Sequence, residues 1–272
     1  MDGKIPENRR LGKGPIIVPS PFTTRLVAKI ARVADIVTFR FERPQGHEYR
    51  AGQWFVITFP GPTGPYDHHF SYSSSPTEPF LEFTTRLRGS EFKNALDALP
   101  PGAEVEVEGP YGTFGPRVDL KRVVFIAGGI GITCVRSIVR RLADIEGASG
   151  GTRPLLREAA LPPRPVAESQ EIVLLFANRS EDAIPFRDEL TQMEAALPGL
   201  RVVHVLSHPE SDWPGYRGHI DQEILSRELP GPRNWAYYLS GPPSFVQAMQ
   251  ELLAHRGIES GSINSERFDG YE

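Results

Sequence analysis

Two stretches of this 272-residue chain carry residue types spaced for chemistry. In the first, the apolar run Val123–Ala127 stops at Gly128-Gly129-Ile130-Gly131-Ile132-Thr133. A run that short, ending in glycines, predicts a central parallel strand entering a tight turn. Beyond it Ile132, Val135, Ile138, Val139 and Leu142 recur at helical spacing, with Arg136, Arg140 and Arg141 opposite. Strand, glycine turn and helix make an anion site, because glycine admits close backbone approach and free N–H groups at a helix start attract phosphate. Any tight strand-to-helix turn shares these features, and the usual G-x-G-x-x-G with an acidic residue about 20 positions on is missing. The turn alone leaves both readings open. The second stretch is His68-His69-Phe70-Ser71-Tyr72-Ser73-Ser74-Ser75-Pro76. On a strand His68, Phe70 and Tyr72 would share one face, and His69, Ser71 and Ser73 the other. An imidazole, an aromatic ring and dense hydroxyls suit a flat polar ring and a phosphate; a Ser-rich loop over a buried aromatic would read alike. Adjacent strand residues diverge, which argues against the two His sharing a metal.

The elements that must hold these stretches fall into two textures. Residues 1–20 are polar, rich in Gly and Pro, and read as a flexible tail. From Thr23 to about Gly115 the signals are β: Leu26, Ala28 and Ile30 alternate with polar residues, and strand-like runs follow at Trp54–Phe59, Phe80–Leu87 and Glu104–Glu108. Pro and Gly punctuate them, and one helix interrupts at Glu91–Leu99. The pattern predicts an antiparallel, Greek-key β-barrel over residues 21–117. After it strands at Val123–Ala127, Ile172–Ala177, Val202–Leu206 and Ala236–Leu239 alternate with helices at Ile132–Ile145, Pro185–Leu197, Asp221–Glu228 and Pro243–Arg256. That is the pattern of a doubly wound parallel sheet, expected over residues 118–272, with an exposed loop at 147–170.

Composition narrows the classes. The length fits two domains, and 39% hydrophobic residues suffice for packed cores. A net charge of −4 offers no general basic surface for nucleic acid. The lone Cys134 excludes an internal disulfide, a Cys-ligated zinc and a four-Cys iron–sulfur cluster. No apolar run is long enough for a membrane span and no secretory signal is evident, so a cytoplasmic protein is expected.

The His68 stretch resembles the FAD-binding motif R-x-Y-S-x-x-S of the ferredoxin–NADP reductase superfamily, and especially the H-P-F-[ST] variant of its ferric reductase and NADPH oxidase branch. The resemblance implies that Phe70 packs on the flavin ring, that Ser71 sits by the flavin N5, and that His68 takes the place of the Arg that contacts the FAD pyrophosphate. His69, Tyr72, Ser73, Ser74 and Thr85 become further candidates for cofactor contact. A His is mostly neutral at pH 7, so the phosphate contact at His68 should be weaker or pH-sensitive. Arg88-Gly89-Ser90-Glu91-Phe92-Lys93 looks like the family's G-x-x-[ST] pyrophosphate loop, with Lys93 in place of the hydroxyl and Ser90 and Phe92 beside it. Gly128, Gly129, Gly131, Ile132 and Thr133 are similar to the family's G-G-x-G-[IV]-T-P turn, which holds the nicotinamide nucleotide pyrophosphate; Cys134 stands where Pro is usual. Ser240-Gly241-Pro242-Pro243 resembles the family's C-G-P-x-x-[FM], with Ser240 in place of the Cys beside the nicotinamide. Phe176-Ala177-Asn178-Arg179 with Phe186 and Glu189-Leu190 looks like N-R-x-x-x-x-x-F-x-x-E-L. The end of the chain resembles an aromatic-ended tail that covers the flavin, with Tyr271 the first candidate and Phe268 the second.

The resemblance implies an FAD-dependent oxidoreductase that takes hydride from NADPH or NADH, with Ser71, Ser240 and Tyr271 at the reacting centre. Asn178, Arg179 and Ser207 would meet the nucleotide, and Ser207-His208, with no acidic residue closing the second strand, leans toward NADPH. Relatives with their own iron–sulfur module have Cys-rich extensions that are missing here, so a separate acceptor is expected: ferredoxin, flavodoxin, a haem protein or a ferric chelate. Two alternatives are a ferric-chelate or flavin reductase, and a redox-sensing or electron-transfer subunit that rarely turns over.

Overall fold

The computed structural model describes residues 20–61, 64–116, 120–149 and 171–268. The candidate Tyr271 and nearly all of the loop at 147–170 lie outside them.

Six strands form the first sheet: β1 (Phe22–Val33), β2 (Ile36–Glu42), β3 (Trp54–Gly61), β4 (Gly64–Ser71), β5 (Phe80–Arg86) and β6 (Glu104–Tyr111). Their order is β4-β3-β6-β1-β2-β5, every pair antiparallel. Alternation along each strand sends Phe39, Phe41, Phe55, Ile57, Phe70, Phe83 and Val107 into one core. The sheet curls until β4 and β5 face each other across a seam without a hydrogen-bonded ladder. Helix α1 (Glu91–Ala98) lies beside that seam, packing Leu96, with Phe92 and Ala95, onto the barrel core.

The second sheet is parallel, in the order β10-β9-β8-β7-β11-β12. Its strands are β7 (Arg122–Gly128), β8 (Glu171–Asn178), β9 (Leu200–Leu206), β10 (Tyr216–Arg217), β11 (Ala236–Gly241) and β12 (Ile263–Arg267). Both faces are covered, which explains why its central strands read as unbroken apolar runs. Helices α2 (Ile132–Ser149) and α3 (Arg187–Ala196) cover one face through Val135, Ile138, Val139, Leu190 and Met193. Helices α4 (Gln222–Glu228) and α5 (Pro243–Ala254) cover the other through Ile224, Leu225, Val246, Met249 and Leu253. The chain runs outward from β7 to β10 and then returns to the far side of β7 as β11. The carboxyl ends of β7 and β11 therefore flank a topological switch point, where open α/β sheets bind ligands.

Candidate active site

At the switch point β7 ends in Gly128 and β11 in Ser240-Gly241, with Ser240 in register with Ala127 on one side and Glu266 of β12 on the other. A Cβ on Gly131 would sit 2.3 Å from the Ser240 carbonyl oxygen, so only glycine lets the turn pass this close. Gly129 has φ +52° and open space beyond its Cα, so the turn presents bare backbone outward. Ile132 is fully buried and anchors α2 in the core. Thr133 Oγ1 and Ser240 Oγ are buried without a hydrogen-bond partner; Ser240 Oγ lies beside the Cys134 thiol but makes no bond of normal geometry. The native structure thus holds two orphaned hydroxyls at the ligand-binding end of its parallel sheet, a cost that a polar ligand removes. Burial pushes the Cys134 thiol well above its ordinary range, which makes it a packing residue rather than a nucleophile. Pro242 caps α5, whose first turn contains Pro243. Phe268 donates its N–H to the Gly241 carbonyl at 3.0 Å and packs with Ile130 of the turn and Ile36 of the barrel. Phe268, the second aromatic candidate at the chain end, thus stands against the switch point.

The outer corner of this sheet holds the remaining nucleotide candidates. Ser207 N–H donates to the Asn178 carbonyl at 3.1 Å, and His208 N–H to that of Arg179 at 2.7 Å, which zips the ends of β8 and β9 together. Asn178 Nδ2 is buried without a partner, while Arg179 is exposed. Ser207 Oγ bonds His208 Nδ1 at 3.0 Å. Arg217 donates to the carbonyls of Ser211 and Trp213, so its charge braces its own loop.

The barrel contributes a pocket of about 390 Å3 along the seam, lined by Tyr66, Asp67, His68, Arg88, Ser90, Phe92 and Lys93. These residues bring together the two barrel motifs, β4 and the start of α1. Ser90 Oγ caps the helix by accepting from Lys93 N–H at 3.3 Å. Burial, with Arg88 and Arg86 nearby, lowers the Lys93 ammonium to about 8, relieved by Asp35. A positive cluster at a helix N-terminus that penalises its own charge fits a diphosphate. Burial, with His69 and Lys93, lowers His68 to about 4, so it is neutral at pH 7 and offers a hydrogen bond rather than a charge.

Several residues of the Ser-rich stretch and its neighbours engage the barrel's own side chains. Phe70 is turned into the barrel, 5% exposed and stacked on Phe83 at 4.1 Å, so one ring face is already covered. Tyr72 is fully buried, stacked on Tyr49 at 4.0 Å and hydrogen-bonded to His47. The hydroxyls of Ser73 and Ser74 engage Thr84 and Tyr49 at 2.9 and 2.8 Å, and both N–H groups donate to the Glu82 carbonyl. They build the wall behind Ser71. Thr85 is buried on β5 opposite Val37. His69 points away from the pocket, edge-on to Trp54 at 5.7 Å, on the face that Ser71 shares.

Residues 125–251 match the family described as the oxidoreductase NAD-binding domain. The chain is 29% identical over 271 residues to the ferredoxin–NAD(P)(+) reductase component of the naphthalene 1,2-dioxygenase/salicylate 5-hydroxylase systems of a Ralstonia species, covering 97% of this chain and 73% of that protein. It is also 29% identical over 269 residues to ferredoxin–NADP reductase B of Sorangium cellulosum, covering 93% of this chain and all of that one (100%). Its fold is that of a Neisseria gonorrhoeae ferredoxin NADP+ reductase crystallised with FAD and NADP, with a TM-score of 0.73 at 17% identity over 91% of this chain and 98% of that one. The antiparallel sheet followed by a parallel sheet with helices is thus the two-domain fold of solved ferredoxin reductases. Its parallel-sheet half matches the oxidoreductase NAD-binding family. Among the described residues no helix is long and apolar enough to cross a membrane.

Proposed function

We propose that this chain is an NAD(P)H-dependent flavoprotein reductase that passes electrons to a separate acceptor. The observation that carries the proposal is the pair of orphaned hydroxyls, Thr133 and Ser240, buried at the switch point beside a bare glycine turn. When bound, FAD supplies a ring that accepts hydride from the nicotinamide and gives electrons up again. Lys93, Arg88 and the α1 N-terminus hold its diphosphate, His68 adds a neutral hydrogen bond, and Ser71, the last residue of β4 and on that strand's other face, meets the ring where the cofactor passes the strand end. The backbone of Gly129–Thr133 holds the nucleotide diphosphate, and Ser240 orients the nicotinamide. Phe268, or Tyr271 beyond it, excludes water from the junction until the nucleotide arrives. The His68–Ser71 run is read as the ferric reductase form of the flavin strand, with the barrel spanning residues 21–117 and the nucleotide domain 118–272.

The acceptor is most simply a small redox protein such as ferredoxin or flavodoxin, since two relatives carry ferredoxin in their names. A haem protein or a ferric chelate is the second choice, and the setting is cytoplasmic. The exposed Arg179 with Ser207-His208 favours NADPH over NADH. Turnover assays of the FAD-reconstituted chain with ferredoxin, flavodoxin, a haem protein and ferric citrate test the reading. Reduction of a protein acceptor supports it; reduction of ferric citrate alone makes the chain a chelate reductase. Flavin binding without turnover makes it an electron-transfer subunit.

A further inference from the structure

Helix α2 leaves the glycine turn and drives two side chains into the barrel domain. Arg136, 3% exposed, donates from Nη1 to the Ser73 carbonyl at 2.9 Å, and Ser137 Oγ donates to the Ser74 carbonyl at 2.6 Å. The Arg136 guanidinium also grips both oxygens of Glu78, at 2.5 and 2.9 Å, and one oxygen of Glu189 from Nη2 at 2.6 Å and Nε at 3.0 Å. Glu189, on α3, accepts as well from Arg32 Nη1 at 2.6 Å. Arg32 Nε donates to Thr38 Oγ1 at 2.7 Å, Thr38 bonds Thr84 at 2.7 Å, and Thr84 bonds the Ser73 hydroxyl at 2.9 Å. The path that begins on the Ser73 carbonyl therefore returns to the Ser73 hydroxyl, after crossing α2 and α3 of one domain and β1, β2 and β5 of the other.

Two features say that this ring is built for geometry. Phe186, which precedes α3, lies under both guanidinium groups, 4.6 Å from Arg32 and 5.7 Å from Arg136, and holds φ at +60°. A bulky side chain keeps that left-handed conformation only where its surroundings enforce it, and here it delivers Glu189 to both arginines. Burial opposes the Glu189 charge, yet Arg136 and Arg32 hold its carboxyl below the ordinary range. Buried ion pairs of this kind rarely stabilise more than apolar residues of the same volume would, so stability alone is a poor reason for them. Ser73 stands two residues after Ser71, and Arg136 three after Thr133, so the ring joins the flavin strand to the nicotinamide turn.

We propose that Arg136 and Glu189 are positioning residues, and that the ring they close fixes the spacing between the two cofactor sites and so sets the rate of hydride transfer rather than either affinity. This rests on the functional reading above. The test compares the FAD-loaded full chain with R136K, which keeps the charge and loses the fork, and with E189Q. Rapid-mixing reduction by NADPH and NADH without oxygen gives a limiting rate and a half-saturating concentration; hydrogen exchange of the same proteins reports the joint directly. The expected result is a limiting rate lowered by about tenfold to a hundredfold, the loss typical of misplaced reactants. Half-saturation and FAD content should stay within about twofold of the parent on this reading, since uniform binding is untouched. Exchange should quicken at 71–78 and 132–139 while β3 is unchanged. A parent-like limiting rate with parent-like exchange in either variant overturns the proposal, as does a change in half-saturation alone. Should R136K fail to fold, E189Q decides by the same criteria. If the parent itself is reduced by neither nucleotide, the functional reading fails, and unchanged exchange would separately dismiss the ring.

Discussion

The ring of Phe70 lies flat on that of Phe83, 4.1 Å between centroids and 13° between planes. These two side chains, one from β4 and one from β5, meet across the seam where the barrel lacks a ladder of backbone hydrogen bonds. Stacking therefore does there what pairing does elsewhere in the sheet. Phe70→Ala should destabilise the cofactor-free chain by about 3–5 kcal/mol, the cost of removing a buried aromatic. Urea unfolding with flavin stripped measures it. A stability unchanged from the parent, with only flavin affinity lost, would return Phe70 to the role of a flavin platform.

The glycines of the nucleotide turn should separate by mechanism. Gly131→Ala places a Cβ 2.3 Å from a backbone oxygen, which cannot swing aside, so β7 and β11 must part. Gly129→Ala meets nothing within 4 Å and pays only for its φ of +52°, about 1–2 kcal/mol. Gly131→Ala should lose nucleotide binding by calorimetry while retaining flavin. Gly129→Ala should fold nearly as well as the parent but bind the nucleotide more weakly, since its methyl projects where a diphosphate would lie. Equal behaviour of the two variants would remove the turn from the nucleotide site.

Lys93→Gln should raise the dissociation constant for FAD by about tenfold, the scale of one charged hydrogen bond. The loss should shrink as salt rises, because screening weakens the parent more than the variant. Fluorescence titration of stripped protein at two ionic strengths reads both. Parent-like binding would move the diphosphate away from α1.

Glu266 gives a pH signature. Burial raises its carboxyl to about 7, above its value in the unfolded chain. Between the ordinary carboxylate range and about 7 the native chain therefore holds a proton that the unfolded chain has released. Stability then falls as pH rises through that window. The parent's Tm minus that of Glu266→Gln should therefore fall as pH rises from 5 to 7 by this linkage. A difference independent of pH would place Glu266 in solvent.

What was legible in the sequence follows from range. Strand β7 and its turn could be read because an apolar run and three glycines lie within a few residues of one another. Helix α4 ran as its pattern indicated, with Asp221 capping it by accepting from Ile224 N–H at 2.8 Å. Strand β12 escaped, because Ile263-Asn264-Ser265-Glu266-Arg267 is a polar edge strand with neither alternation nor an apolar run. Helix α3 begins at Arg187 rather than Pro185, since the left-handed Phe186 precedes it and no local capping residue signals that bend. Alternation did put His68 and Phe70 on one face, but it could not say that this face points into the barrel. The ring through Arg136 was invisible for another reason: Arg32 and Glu189 are 157 positions apart and meet only once both domains have formed.

The most direct test of a flavin reductase is the visible spectrum of the purified, FAD-reconstituted chain, titrated without oxygen with NADPH and, separately, with NADH. A yellow protein bleached by one nucleotide far more readily than by the other, with NADPH the stronger, is the expected result. A protein that stays colourless after incubation with FAD would contradict it, and with it the reading of both halves of the chain as cofactor domains.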